Sequence, residues 1–147
     1  MAVAAPYGLS LILRFVVALI VWLRQPPPEH ATRIRKHEAA AALFFGMAPT
    51  KDVVKPHGEW NEGRIVCQGT VIQHWLNGEK VIDFDYTDPK WAREIEVLRI
   101  RGADLSARGG KLWLQDHGAD VWFRNLRLRT IPADEQLTRS EFTPMPM

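Results

Sequence analysis

Residue types suited to holding a sugar recur twice in this chain. In "RIVCQGTVIQHWLNGEKVIDF" (64–84), alternation places Arg64, Gln73 and Trp75 on one side. In "KLWLQDHG" (111–118), Trp113 and Gln115 repeat the pairing of an aromatic ring with an amide. A sugar's C–H face stacks on aromatic rings, while its hydroxyls need planar donors and acceptors, so such a surface suits carbohydrate. The plainer alternative packs Trp75 under a loop and leaves Arg64 and Gln73 facing water. Other chemistries lack their residues: there is no HExxH, no paired-cysteine spacing and no glycine-rich phosphate loop. The closely spaced acidic pair of a retaining glycosidase is not evident either.

The elements that must position these side chains are antiparallel strands. From Gly58 onward the period is two, with turn residues at short intervals. Strands are expected at 62–68, 70–76 and 79–85, joined by Gln68-Gly69 and by Asn77-Gly78, the dipeptide best suited to a type I′ turn. Two-residue loops would set Leu76 opposite Glu79, His74 opposite Val81, Ile72 opposite Asp83 and Ile65 opposite Ile72. The core face then collects Ile65, Cys67, Ile72, His74, Leu76 and Val81. The other face collects Arg64, Val66, Val71, Gln73, Trp75, Lys80, Ile82 and Phe84. "PKWAREIEVLRIR" (89–101) has helical spacing through Trp91, Ile95 and Leu98, with Pro at its start. In "VWFRNLRLRTI" the apolar phase slips between Phe123 and Leu126, which predicts a β-bulge at Arg124-Asn125 that could re-aim Arg124.

Totals narrow the partners. A chain of 147 residues with formal charge +2 gives no strong reason to expect nucleic acid or an anionic membrane. The lone Cys67 excludes an internal disulfide and, in phase with Ile65, reads as a small core residue. The apolar run "LSLILRFVVALIVWL" (9–23) is interrupted by Arg14 and short of the ~20 residues of a spanning helix. It is expected as a hydrophobic N-terminal helix with at most weak membrane association. No basic region precedes it as a secretory signal would require. Arg24, Arg33, Arg35 and Lys36 would tend to keep the following chain in the cytoplasm. Pro26-Pro27-Pro28 marks a joint. "EHATRIRKHEAAAALFF" could start a short helix, its His30 and His37 solvated, before a strand at Ala42–Met47.

Taken together, "GEWN" (58–61), "HWLNG" (74–78), "LQDHG" (114–118) and "FRN" (123–125) resemble the 3-keto-disaccharide hydrolase family, a concanavalin A-like lectin/glucanase jelly-roll. "ALFFGMAP" (42–49) looks like that family's preceding strand and loop. The resemblance implies a mainly β fold, a partial antiparallel β-sandwich with one short helix near 89–101. It also implies a division into a non-matching segment at 1–41, a β domain at 42–132 and a C-terminal tail at 133–147. Because the likeness covers the later part of such a domain, a truncated copy is expected, with export suggested by the family but no clear signal present. The implied activity is cleavage of 3-keto-glycosides. A C3 ketone acidifies the C2 proton, a base removes it, the enolate expels the C1 substituent, and water adds. Such a site needs a base and an electropositive group near the enolate oxygen, often a divalent metal. The implied candidates are His74 and His117 as base or metal ligand and Arg124 as stabiliser. Gln115 and Asn125 are implied as substrate donors, beside Arg64, Gln73, Trp75 and Trp113. Each has a structural alternative: a satisfied buried His74, a turn-shaping His117, an Arg124 paired with Glu59 or Asp120. The alternative function is a non-catalytic, lectin-like carbohydrate-binding module.

Overall fold

The computed structural model describes residues 11–18, 41–43, 46–56, 58–105, 107, 114 and 121–144. Its strands are β1 (Leu11–Ala18), β2 (Gly63–Gln68), β3 (Val71–Leu76), β4 (Glu79–Asp85) and β5 (Trp122–Thr130). They form one antiparallel sheet in the order β4-β3-β2-β1-β5. Between β4 and β5, a 3₁₀ turn at Pro89–Trp91 runs directly into helix α1 (Ala92–Ile100). Asp88 caps that turn by accepting from the Lys90 amide.

Leu11–Ala18 is therefore a strand and not part of a hydrophobic helix: it pairs with β2 on one edge and β5 on the other. A continuous apolar run fits a strand with neighbours on both sides as well as it fits a helix, and periodicity cannot separate them. Among the described residues no helix is long and apolar enough to cross a membrane. Ala42–Met47 is likewise not a strand. Its described residues form a tight turn, in which the Met47 amide donates to the Leu43 carbonyl at 2.8 Å and the Leu43 amide to the Met47 carbonyl at 3.0 Å.

The β3–β4 turn is the expected one, with Asn77 at φ 51° and Gly78 at φ 86°. Leu76 sits opposite Glu79 and Trp75 opposite Lys80, after which the register shifts and His74 faces Ile82. Val81 is the extra residue of a β-bulge. It inverts the phase of all that follows, so Ile82 and Phe84 join the face of Ile72 and His74, while Asp83 faces Gln73. This corrects the pairings His74–Val81 and Ile72–Asp83 and the assignment of Ile82 and Phe84 to the non-core face. The β2–β3 turn is at Gly69-Thr70, which sets Ile65 opposite His74 and Cys67 opposite Ile72. The shift is an even number of residues, so the sorting of faces on β2 and β3 holds.

The core lies where α1 crosses β3 and β4. Met47, Ile82, Phe84, Trp91 and Leu98 form one buried cluster, and the Phe84 and Trp91 rings meet edge to face at 5.8 Å. Gly46 lets that loop press against the helix: a Cβ there would stand 2.8 Å from Leu98 Cγ. Cys67 is half-buried on this face and not in a disulfide.

Candidate functional site

On the opposite face the central feature is a buried polar cluster. Gln73 and Asp83 face one another across β3 and β4, and Gln73 Nε2 donates to Asp83 Oδ2 at 3.0 Å. Lys80 Nζ reaches the same oxygen at 2.9 Å, with side-chain exposures of 6% for Lys80 and 0% for Asp83. Charges so far from water need partners, and residues 131–142 supply them. This segment forms a strap that crosses the sheet face: Gln68 Nε2 donates to the Glu135 carbonyl at 2.8 Å, and Leu137 packs with Ile131 against Val66 and Trp75. The Thr138 carbonyl accepts from Gln73 Nε2 at 3.0 Å and also from Lys80 Nζ. Arg139 Nε and the Ser140 amide donate to Asp83 at 2.7 and 2.6 Å. Phe142 then reaches the core cluster on the other face, so the strap rounds the β4 edge. Outside the cluster, the Arg129 guanidinium grips Glu135 with both nitrogens, at 2.5 and 2.7 Å. That bond, helped by the nearby Arg64, holds the Glu135 carboxyl below its usual range.

The expected sugar-facing residues Gln73, Trp75 and Arg64 therefore share a face, as the alternation predicts, but the strap overlies that face. Gln73 is buried, while Trp75 and Arg64 are half-buried. Trp75 is flanked by two cations, the Arg64 guanidinium and Lys80 Nζ each 5.2 Å from its ring centroid. Its Nε1 is buried and finds no acceptor among the described residues.

Arg124 is the exposed member of the face. β5 carries the expected bulge: three residue steps from Arg124 to Arg127 oppose two from Val16 to Arg14, and Asn125 takes φ 55°, which asparagine tolerates. Through β1, the register places Arg124 on the side of Arg64 and Trp75. Its guanidinium stacks 3.8 Å above the centroid of Trp60. Trp60 escaped the sequence reading because only the folded register brings it to Arg124. Its position inside "GEWN" was the available signal.

The neighbouring asparagine of that motif has a structural task. Asn77 Nδ2 donates to Asn61 Oδ1 at 2.8 Å and to the Val53 carbonyl at 2.7 Å, while Asn77 Oδ1 accepts from the Glu62 amide at 2.9 Å. Asn61 Oδ1 also accepts from the Lys55 amide at 2.9 Å. The two asparagines thus fasten the 53–62 loop, and with it Trp60, to the β3–β4 turn.

His74 is on the core face, away from Arg124 and Trp75. It is buried, and its Nδ1 lies 2.8 Å from the Ala41 carbonyl, so Nδ1–H is the donor. Burial pushes its pKa below the ordinary 6.5, against the opposing pull of bonds to the Ala41 and Ala42 backbone. Trp113, Gln115 and His117 lie outside the described residues. Among the described residues no three His, Cys, Asp or Glu side chains converge in a way that could hold a metal ion. The oxygens of the buried Asp83 are already taken by Gln73, Lys80, Arg139 and Ser140.

Comparison with known proteins places this geometry. The profile of the 3-keto-alpha-glucoside-1,2-lyase-like domain matches residues 25–129. The chain belongs to that family. A relative within it, the 3-keto-disaccharide hydrolase of Bacteroides thetaiotaomicron, is 32% identical over a match covering 63% of this chain and 36% of the relative. The chain thus spans about a third of that relative's length. A crystal structure of a protein from Parabacteroides distasonis, described as a "putative glycosyl hydrolase", superposes with a TM-score of 0.53 at 19% identity. That match covers 85% of this chain and 67% of the other, and the likeness is one of fold. The mainly β, antiparallel architecture is thus common to this lyase-like chain and to a solved relative of its fold.

Proposed function

We propose that this chain acts on carbohydrate as part of a jelly-roll domain that cleaves 3-keto-glycosides. The reading is carried by the family match over residues 25–129, and it is supported by the exposed Arg124–Trp60 stack beside the Asn125 bulge. In the reaction, a base takes the C2 proton and the bonding electrons move onto the C3 ketone oxygen. The enolate then re-forms the ketone, its electrons closing a C1–C2 double bond as the C1 substituent leaves with its own pair, and water adds to the product. Arg124 is assigned to the developing enolate oxygen, its guanidinium held in place by the Trp60 ring. Asn125, aimed by the bulge, is assigned as a hydrogen-bond donor to the sugar, together with Gln115. His117 is assigned as the base. His74 is given a structural part, because it is spent on the Ala41 carbonyl on the other face. No step is routed through a metal, since the described residues provide no donor set for one.

A second reading has an observation of its own. His74 and Arg124 occupy opposite faces, so the described residues bring no imidazole to the Arg124–Trp60 stack, and a lectin-like module without catalysis would need none. Incubating the folded protein with a 3-keto-glucoside, with and without a divalent metal, decides between them. Release of the aglycone is expected. Binding of the sugar without release would favour the lectin-like module, and neither would sink both.

A further inference from the structure

The buried cluster under the strap is built of more than packing needs. Asp83, Lys80 and Gln73 lie side by side against the Trp75 ring, and the strap meets them with one carbonyl oxygen, from Thr138, and one amide N–H, from Ser140. The carbonyl takes two donors from the sheet, and the amide gives one hydrogen bond to the carboxylate. Neighbouring hydroxyls of a pyranose present the same pair: one oxygen accepting from an amide and an ammonium, and one O–H donating to a carboxylate. Leu137 lies against Trp75 where the C–H face of a sugar would stack. One donor of the set remains unmet, for Trp75 Nε1 is buried without an acceptor among the described residues. A sugar hydroxyl could accept from it, whereas Leu137 cannot.

We propose that Gln73, Trp75, Lys80 and Asp83 form a subsite for a neutral hexopyranoside, and that strap residues 137–140 are its intramolecular occupant. The inference rests on the carbohydrate reading above. The strap and the sugar then compete for the same groups, and the apparent affinity is the intrinsic one scaled by the fraction of molecules with the strap displaced. The fastening most accessible to solvent is Arg139, whose side chain is 45% exposed and which bonds only to Asp83 and, at 3.8 Å, to Asp85. Removing it loosens the strap and leaves the four subsite residues in place.

The test uses the full chain and methyl α-D-glucopyranoside, which lacks the ketone and is not consumed. In the wild type, saturating sugar should speed hydrogen exchange at the Ser140 amide, which loses its bond to Asp83. The variant Arg139→Ala should bind the sugar about 3- to 10-fold more tightly by calorimetry. Adding Gln73→Ala to that variant should abolish the gain. Equal affinity in wild type and R139A, with exchange at residue 140 unchanged or slowed by sugar, would overturn the inference. In that event, continued release of aglycone from a 3-keto-glucoside would leave the proposed function standing. Loss of both binding and release from a folded sample would refute the two together. The exchange measurement on the wild type needs no variant, so it decides even if R139A fails to fold.

Discussion

Asn77 offers the sharpest test of how the motif residues hold the fold. Replacing it with alanine removes two effects at once. The residue sits at φ 51°, where a side chain other than asparagine or glycine costs ~1–2 kcal/mol. Its amide also makes three hydrogen bonds, to the Glu62 amide, the Val53 carbonyl and Asn61 Oδ1, at 2.7 to 2.9 Å. Each is worth ~1 kcal/mol net, less where water reaches the half-buried amide. Asn77→Ala should therefore destabilise by roughly 3–4 kcal/mol and Asn77→Gly, which keeps the backbone at ease, by roughly 2. Urea unfolding followed by tryptophan fluorescence gives both numbers from the midpoints, provided the slope is unchanged. The gap between the variants isolates the backbone effect. If glycine proves as harmful as alanine, the turn geometry is not what asparagine supplies. If both cost less than ~1 kcal/mol, the loop carrying Trp60 is not held by this amide.

Other expectations follow from the same contacts. Gly46→Ala places a Cβ against Leu98 and should lower stability by ~1–3 kcal/mol, read by the same unfolding curves. Asp83→Ala strands the buried Lys80 ammonium and should cost ~3–5 kcal/mol, far more than the exposed Lys51–Glu79 pair broken by Glu79→Ala. Because burial lowers the folded pKa of His74, the unfolded chain binds its proton first, and stability falls as pH drops below 6.5. A His74→Gln variant should lose that part of the pH dependence, as a series of unfolding curves between pH 5 and 8 would show. Arg124→Ala should leave the unfolding midpoint unchanged and reduce aglycone release at least ~10-fold. An equal loss in Arg124→Lys would show that charge alone does not suffice there.

Much of the sheet could be read from alternation, and the failures have identifiable causes. Asn77-Gly78 gave the turn and the first pairs because its backbone demand admits few residues. The β5 bulge was visible because Phe123 and Leu126 break the phase of a strand whose polar and apolar residues otherwise alternate. The β4 bulge was hidden: "KVIDF" is apolar on both sides of the slip, so nothing in the pattern distinguishes one register from the other. β1 was misread for a related reason, since its apolar run has no polar face to report a period of two. Residues 131–142 carry no periodicity at all. Their hold on the sheet depends on Thr138 and Ser140 backbone groups, which composition cannot announce. The exposed stack was half legible, because the bulge pointed to Arg124 but Trp60 needed the loop that Asn61 and Asn77 fasten.

The extra residue in β4 also bears on how this strand can change length. Removing Val81 would set Lys80 and Ile82 opposite Trp75 and His74 in a regular ladder, with both faces kept. The loss would fall on Thr50, whose amide and hydroxyl both donate to the Val81 carbonyl. Removing one residue between Ile82 and Asp85 would instead carry an acidic side chain beneath α1 and a large apolar one toward Lys80. Gaps in relatives of this chain should therefore collect at the first position and avoid the second, so that a single-residue deletion is nearly silent or ruinous depending on two or three positions along one strand.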